Sequence, residues 1–230
     1  MEKSLLLQVI ILLTSWNIFS QALSQQKNVQ LYLWAGLDAY PEIFTEEKQK
    51  YPENVPFAYP VQKIKELAPF LLEGMTYGWE FTYVPYDKMR GVSEFFERKS
   101  IKSFEPYKKK IIYKKPVIKD GKLCVWIEFE RTPEMISYLN FWNSLHHDKI
   151  HGKGSASLEK GFDGIQEACD LALKEAVREH FRTQIKNKPK EITGRVLIKN
   201  LPKITSVSGK YIVDLDFFVE KDRIIQYTQY

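Results

Sequence analysis

Two nine-residue stretches, GKLCVWIEF at 121–129 and GKYIVDLDF at 209–217, share the pattern Gly-Lys-apolar-apolar-Val-x-apolar-acid-Phe. Apolar residues alternate along both, which is the period of a strand with one buried and one wetted face. In the first stretch Val125, Ile127 and Phe129 fall on one face, and Cys124, Trp126, Glu128 and Glu130 on the other. Asp120-Gly121 just before it suits a two-residue hairpin turn, so Lys108–Ile118 and Lys122–Glu130 are predicted as the arms of a β-hairpin. IIYKKP at 111–116 also matches VLIKNLP at 196–202 with one residue extra. The two matches read as two degenerate units, or as convergence, since any hairpin needs a turn glycine and alternation beyond it.

Helical periods lie between these strands. Val61, Ile64, Leu67 and Leu71 recur at three and four residues over 61–75, with Pro69 expected to kink the helix. A second helix is predicted from Thr132, an N-cap residue followed by Pro133 and Glu134, with Met135, Ile136, Leu139, Trp142 and Leu145 inward. A third runs over 162–185 with Ile165, Ala168, Cys169, Ala172, Ala176 and Phe181 on its apolar stripe. Further expectations are a strand over 76–86, a short helix over 91–99, a Gly/Ser/Lys loop over 149–160, and strands over 191–200, 210–220 and 223–227. The fold class is therefore α+β: antiparallel sheet with amphipathic helices packed on one face. Both helices, from Thr132 and from Phe162, are expected over the apolar face of a sheet containing Lys122–Glu130 and Lys210–Glu220.

The ends and boundaries follow from composition. Lys3, the apolar run Leu5–Leu13 broken only by Gln8, and the small residues Ala22 and Ser24 form a secretory signal over 1–24, with cleavage after Ser24. The run is about half the ~20 residues of a membrane-spanning helix, so no transmembrane anchor is expected after cleavage. Residues 25–60 read as an irregular aromatic and Pro-rich arm carrying Tyr32, Trp34, Tyr40, Tyr51 and Tyr59. Residues 61–154 and 155–230 are the two expected α+β units. From Gly161 onward the long helix and antiparallel meander resemble the small helix-plus-sheet domains of some bacterial envelope and flagellar-accessory proteins. That resemblance covers the last third of the chain, brings no residue-specific motif, and implies no activity.

Three constellations could carry chemistry. His147, Asp148 and His151 have metal-ligand spacing if helical, although Asp148 stands where a zincin-type site needs Glu, and the competing reading is a solvated helix end. Cys124 and Cys169 are a candidate disulfide in an exported protein, or two buried free thiols. Lys108, Lys109, Lys110, Lys114 and Lys115 flank Ile111-Ile112-Tyr113; a second basic segment holds Lys186, Lys188, Lys190, Arg195 and Lys199. The chain carries a formal +5, and export turns such basic stripes away from nucleic acid and toward an envelope protein, an anionic polymer or a lipid surface. The alternative use of the lysines is to block edge-to-edge strand pairing. There is no phosphate-binding Gly loop, no nucleophile elbow and no paired C-x-x-C, and no cofactor is expected. The functional expectation is an exported, periplasmic, non-catalytic binding module; the alternative is a secreted hydrolase of wall or glycan material using the histidine cluster.

Overall fold

The computed structural model describes residues 27–37, 57–143, 147–185 and 187–227. The two glycine-led stretches are strands, but they lie in different sheets. The first sheet joins β1 (Asn28–Gly36), β6 (Lys122–Glu130) and the short β4 (Ile112–Tyr113) and β5 (Val117–Lys119), the last two both pairing with β6. The second runs β3-β2-β8-β10-β7, with β9 also on β10: β2 is Trp79–Val84, β3 Phe95–Ser100, β7 Asp148–Ser157, β8 Glu191–Ile198, β9 Lys203–Val207 and β10 Lys210–Ile225. All pairings are antiparallel.

The two units share one connection order. Strand β1, helix α1 (Ala58–Thr76), then β4, β5 and β6 are matched by β7, helix α3 (Gly161–Gln184), then β8, β9 and β10. In each unit the last strand pairs on one side with the strand before the helix and on the other with two shorter strands. Asp120 and Gly121 both have positive φ, as do Ser208 and Gly209, so each last strand starts from the same left-handed two-residue turn. Registers agree as well: Lys122 lies opposite Gly36, and Lys210 opposite Ser157. The β2–β3 hairpin is inserted in the first unit yet pairs with β8 of the second. The boundary drawn at 154/155 falls inside β7.

Helix α1 is buried on nearly every side because it packs on β1 and β6 of one sheet and on β8 of the other. The helix continues through Pro69. One buried residue on it is charged: Lys63, 3% exposed, donates a hydrogen bond to the Tyr211 hydroxyl of β10 and so ties the first unit to the second. Burial pulls the Lys63 ammonium down to about 8.

Helix α2 (Pro133–Trp142) starts as its sequence predicts, the Thr132 side chain accepting from the Met135 amide at 3.3 Å. It does not share a face with α3. Trp142 packs with Leu197 and Phe218, whereas the neighbouring Val196, Ile198, Phe217 and Val219 join the core beneath α3, so α2 covers the opposite face of the second sheet.

Three local expectations are corrected. Residues 91–99 are not helical, since Phe95–Ser100 forms an edge strand. Residues 28–36 are a regular strand and not part of an irregular arm; Tyr40 and Tyr51 lie outside the described residues. Residues 149–160 are not a loop, because β7 occupies 148–157 with its glycines against α3. A Cβ on Gly152 would sit 2.0 Å from the Ala172 carbonyl oxygen, and one on Gly154 1.9 Å from that of Ala168. The glycines let a strand backbone meet the Ala168, Ala172, Ala176 stripe of the helix.

Candidate binding face of the first sheet

The inner face of the first sheet, with Val29, Leu31, Leu33, Val125, Ile127 and Phe129, is buried against α1. Its outer face is polar at one end, with Asn28, Gln30, Glu128 and Glu130, and aromatic in the middle. Tyr32 lies opposite Trp126 in register, their ring centroids 5.0 Å apart, and both rings are open to solvent. Ile112 and Val117 stand on the same face, opposite Glu128 and Cys124. Ile118 is opposite the core residue Leu123 and points the other way, yet it is also exposed. Exposures of 55% for Ile112, 61% for Val117, 54% for Ile118 and 52% for Trp126 show that the β4–β5 edge overhangs the core with apolar side chains on both sides. A strand that served only to finish the core would bury one of its two faces.

The predicted lysines surround this overhang. Lys108, Lys109 and Lys110 end a 3₁₀ turn (Glu105–Lys110), not the regular hairpin arm expected there. Lys108 is paired with Glu105, Lys110 sits 5.4 Å from the Tyr107 ring centroid, and Lys114 is 2.7 Å from Glu128. Lys109 and Lys115 have no acidic partner among the described residues. Lys122 lies 4.0 Å from the centroid of Trp34, whose indole nitrogen donates to the Ile204 carbonyl at 2.9 Å and fastens this sheet to β9. From 105 to 122 there are seven lysines and two acids, a net +5 equal to the formal charge of the whole chain. That concentration was legible in the sequence; the exposure of Ile112, Val117 and Ile118 was not, because an alternating arm is expected to bury every other residue.

The other candidates separate. His147 packs between the rings of Phe141 and Trp142, at 4.8 and 4.6 Å, while His151 faces Asp216 at 2.9 Å and Asp214 at 3.6 Å, and Asp148 faces His180 at 3.5 Å. The three expected metal ligands are thus not brought together, since the segment is extended and four extended residues span about 13 Å. No group of three His, Cys, Asp or Glu positioned to hold a metal occurs among the described residues. The candidate disulfide is not formed. Cys124 on the first sheet and Cys169 in α3 are free thiols, and burial pushes the Cys169 thiol well above its ordinary range. Of the second basic segment, Lys188 donates to the Tyr86 carbonyl at 2.9 Å and Arg195 pairs with Glu220 at 2.7 Å, while Lys186 lies outside the described residues.

A cleft of about 560 Å³ lies where α3 ends against β2 and β8, lined by Tyr83, Tyr86, Phe181 and Ile192 with Arg182 and Lys188 at its rim. No helix among the described residues is long and apolar enough to cross a membrane.

The sequence model of an uncharacterised protein family matches residues 17–227. The chain belongs to that family. The chain is also similar to an uncharacterised protein of Treponema pallidum (strain Nichols), 25% identical over 202 residues that cover 88% of this chain and 83% of the relative. No solved structure matches. Family membership therefore brings no activity or ligand with it, and function has to be argued from the first sheet's outer face.

Proposed function

We propose that this protein is exported into the bacterial envelope, is cleaved near Ser24, and works there as a non-catalytic module that binds an anionic envelope component through the β4–β5 edge. One observation carries the reading: a net +5, equal to the formal charge of the whole chain, and three exposed aliphatic residues, Ile112, Val117 and Ile118, coincide on 18 residues at one sheet edge. Lysines that merely blocked strand pairing would sit among polar neighbours, whereas here Ile112, Val117 and Ile118 stand between them. Lys3 and the Leu5–Leu13 run support export, and the relative in the bacterium Treponema pallidum supports the setting. The hydrolase alternative lacks comparable support, because His147, Asp148 and His151 take separate partners.

The test is sedimentation with envelope fragments of the source cell across a salt series. Binding should weaken steeply with salt, as exposed charges are screened within about 8 Å at physiological ionic strength. It should also fall in Lys109→Gln/Lys115→Gln, a variant that breaks no ion pair among the described residues. Binding indifferent to both salt and the two lysines would remove this reading. N-terminal sequencing of the protein recovered from the cell checks cleavage; an intact Met1 would overturn export with processing.

A further inference from the structure

Resting on that reading, we infer that the anionic component is a lipid headgroup surface, into which the β4–β5 edge sets Val117 and Ile118 while the lysines around them meet the phosphates. An anionic polymer or an acidic protein segment would explain the lysines alone. It would not explain a turn at Asp120-Gly121 whose preceding strand exposes Val117 on one face and Ile118 on the other, both more than half open to solvent. Apolar groups on both sides of a protruding tip match a medium that surrounds the tip, as the interfacial zone of a bilayer does, while a flat partner meets one face only.

The second feature that fits a lipid surface is charge complementarity. Lys109 and Lys115, which lack acidic partners among the described residues, together with Lys119, lie within the same short segment as the exposed aliphatics. Anionic leaflets attract such lysines strongly near the surface and hardly at all beyond a Debye length. The third is the aromatic pair. Tyr32 and Trp126 continue the exposed face inward from the edge, and amphipathic rings of this kind favour the headgroup level.

The experiment uses the protein as purified from the producing cell, with vesicles of phosphatidylcholine alone or mixed with phosphatidylglycerol. All variants keep the same N-terminus, so any contribution from Leu5–Leu13 cancels between them. Binding should be confined to the mixed vesicles and shift the Trp126 emission to the blue. Lys109→Gln/Lys115→Gln should weaken it roughly 30-fold at low salt, about fivefold for each lysine. Val117→Ser/Ile118→Ser should weaken it at least as much while leaving the thermal unfolding curve in place, because both side chains are exposed.

Failure to bind mixed vesicles, with salt- and lysine-dependent binding to envelope fragments retained, overturns the lipid inference and leaves the binding-module reading standing. Dextran sulfate binding that requires the lysines and ignores Val117 and Ile118, with vesicle binding equally indifferent to them, assigns the face to an anionic polymer and also overturns it. Self-association abolished by Ile118→Ser would assign the edge to a second copy of the chain, with the same consequence. If the lysine variant binds envelope fragments as tightly as the parent, both readings fall together.

Discussion

Strands β6 and β10 hold the same place in the two units and differ on only one of their faces. Inward, Val125, Ile127 and Phe129 correspond to Val213, Leu215 and Phe217, all buried. Outward, Trp126 opposite Tyr32 corresponds to Asp214 opposite Lys153, and Glu128 to Asp216. On its outer face the second unit covers Leu197 and Phe218 with α2 and, beside them, carries mutually satisfied charges: Lys153 to Asp214 at 3.2 Å, His151 to Asp216 at 2.9 Å and Asn200 to Asp216 at 2.6 Å. Burial works to raise the Asp216 carboxyl, but the hydrogen bonds from His151 and Asn200 outweigh it and hold the group below its ordinary range. In the first unit Glu128 is likewise paired, with Lys114 at 2.7 Å, but Tyr32 and Trp126 stand where Lys153 and Asp214 stand in the second. The inner core dictates neither arrangement at these positions, so the contrast between Tyr32–Trp126 and Lys153–Asp214 reflects what lies outside each sheet.

The largest effects should come where the units agree. Val213→Asp and Val125→Asp each bury a charge without a partner and should each cost about 3 kcal/mol or more in urea unfolding. Tolerance at one position and not the other would break the equivalence of the two strands.

A sharper contrast lies one strand away. In register, Gly154 of β7 corresponds to Leu33 of β1, and Gly152 to Leu31. One sheet thus meets its helix backbone to backbone and the other through leucines. Gly154→Ala, which adds a single methyl 1.9 Å from a carbonyl oxygen, should cost about 3 kcal/mol by overpacking, and Leu33→Ala a similar amount by leaving a cavity. A neutral Gly154→Ala would mean that α3 can lift off β7.

The bridge between the units sets a pH dependence. Lys63 keeps its proton less readily when folded, so between about pH 8 and its ordinary range the unfolded chain binds more protons and stability rises with pH. The slope should be at most about 1.4 kcal/mol per pH unit and should vanish in Lys63→Met. From about pH 9 the buried Cys169 thiol, which unfolding would ionise, offsets this gain, and above pH 10 the sign reverses as burial holds the Tyr83 phenol protonated as well. A profile between pH 8 and 9 that is the same in the parent and in Lys63→Met would place Lys63 in contact with water.

The smallest effects belong to the outer faces. Asp214→Asn should cost less than about 1 kcal/mol through its exposed pairs, and Lys114→Gln should stay within about 0.5 kcal/mol of the parent. Trp126→Ser should be equally mild in unfolding while weakening vesicle binding, which Asp214→Asn should leave unchanged.

What could be read from the sequence was what is decided locally. The turn at Asp120-Gly121, the alternation of β6 and the cap at Thr132-Pro133 each depend on a few adjacent residues, and each is found as expected. Strand β7 was not legible, since Gly152 and Gly154 signal a loop until Ala168, Ala172 and Ala176 are known to lie against them. The Gly-x-Gly-x-Ala period at 152–156 facing an alanine at every fourth helical position was the available sign. Strand β3 was missed because it is an edge with neither face fully buried, so its pattern does not alternate. The histidine spacing failed with β7, a helical argument having been applied to an extended segment. The lysines of the binding face were legible as charge, while the overhang that exposes Ile118 depends on where α1 stops covering the sheet, which no local pattern records.

The pairing of β2 with β8 has a consequence for how the chain is made. Trp79–Val84 is finished more than a hundred residues before Glu191–Ile198, a delay of roughly 5 to 20 s at ordinary ribosomal speeds. Throughout that interval β2 has β3 on one side and an open edge on the other. The open edge of β2 therefore cannot close before the late half arrives, and on the proposed export route, through a channel that admits only unfolded polypeptide, this strand order would postpone closure until after passage.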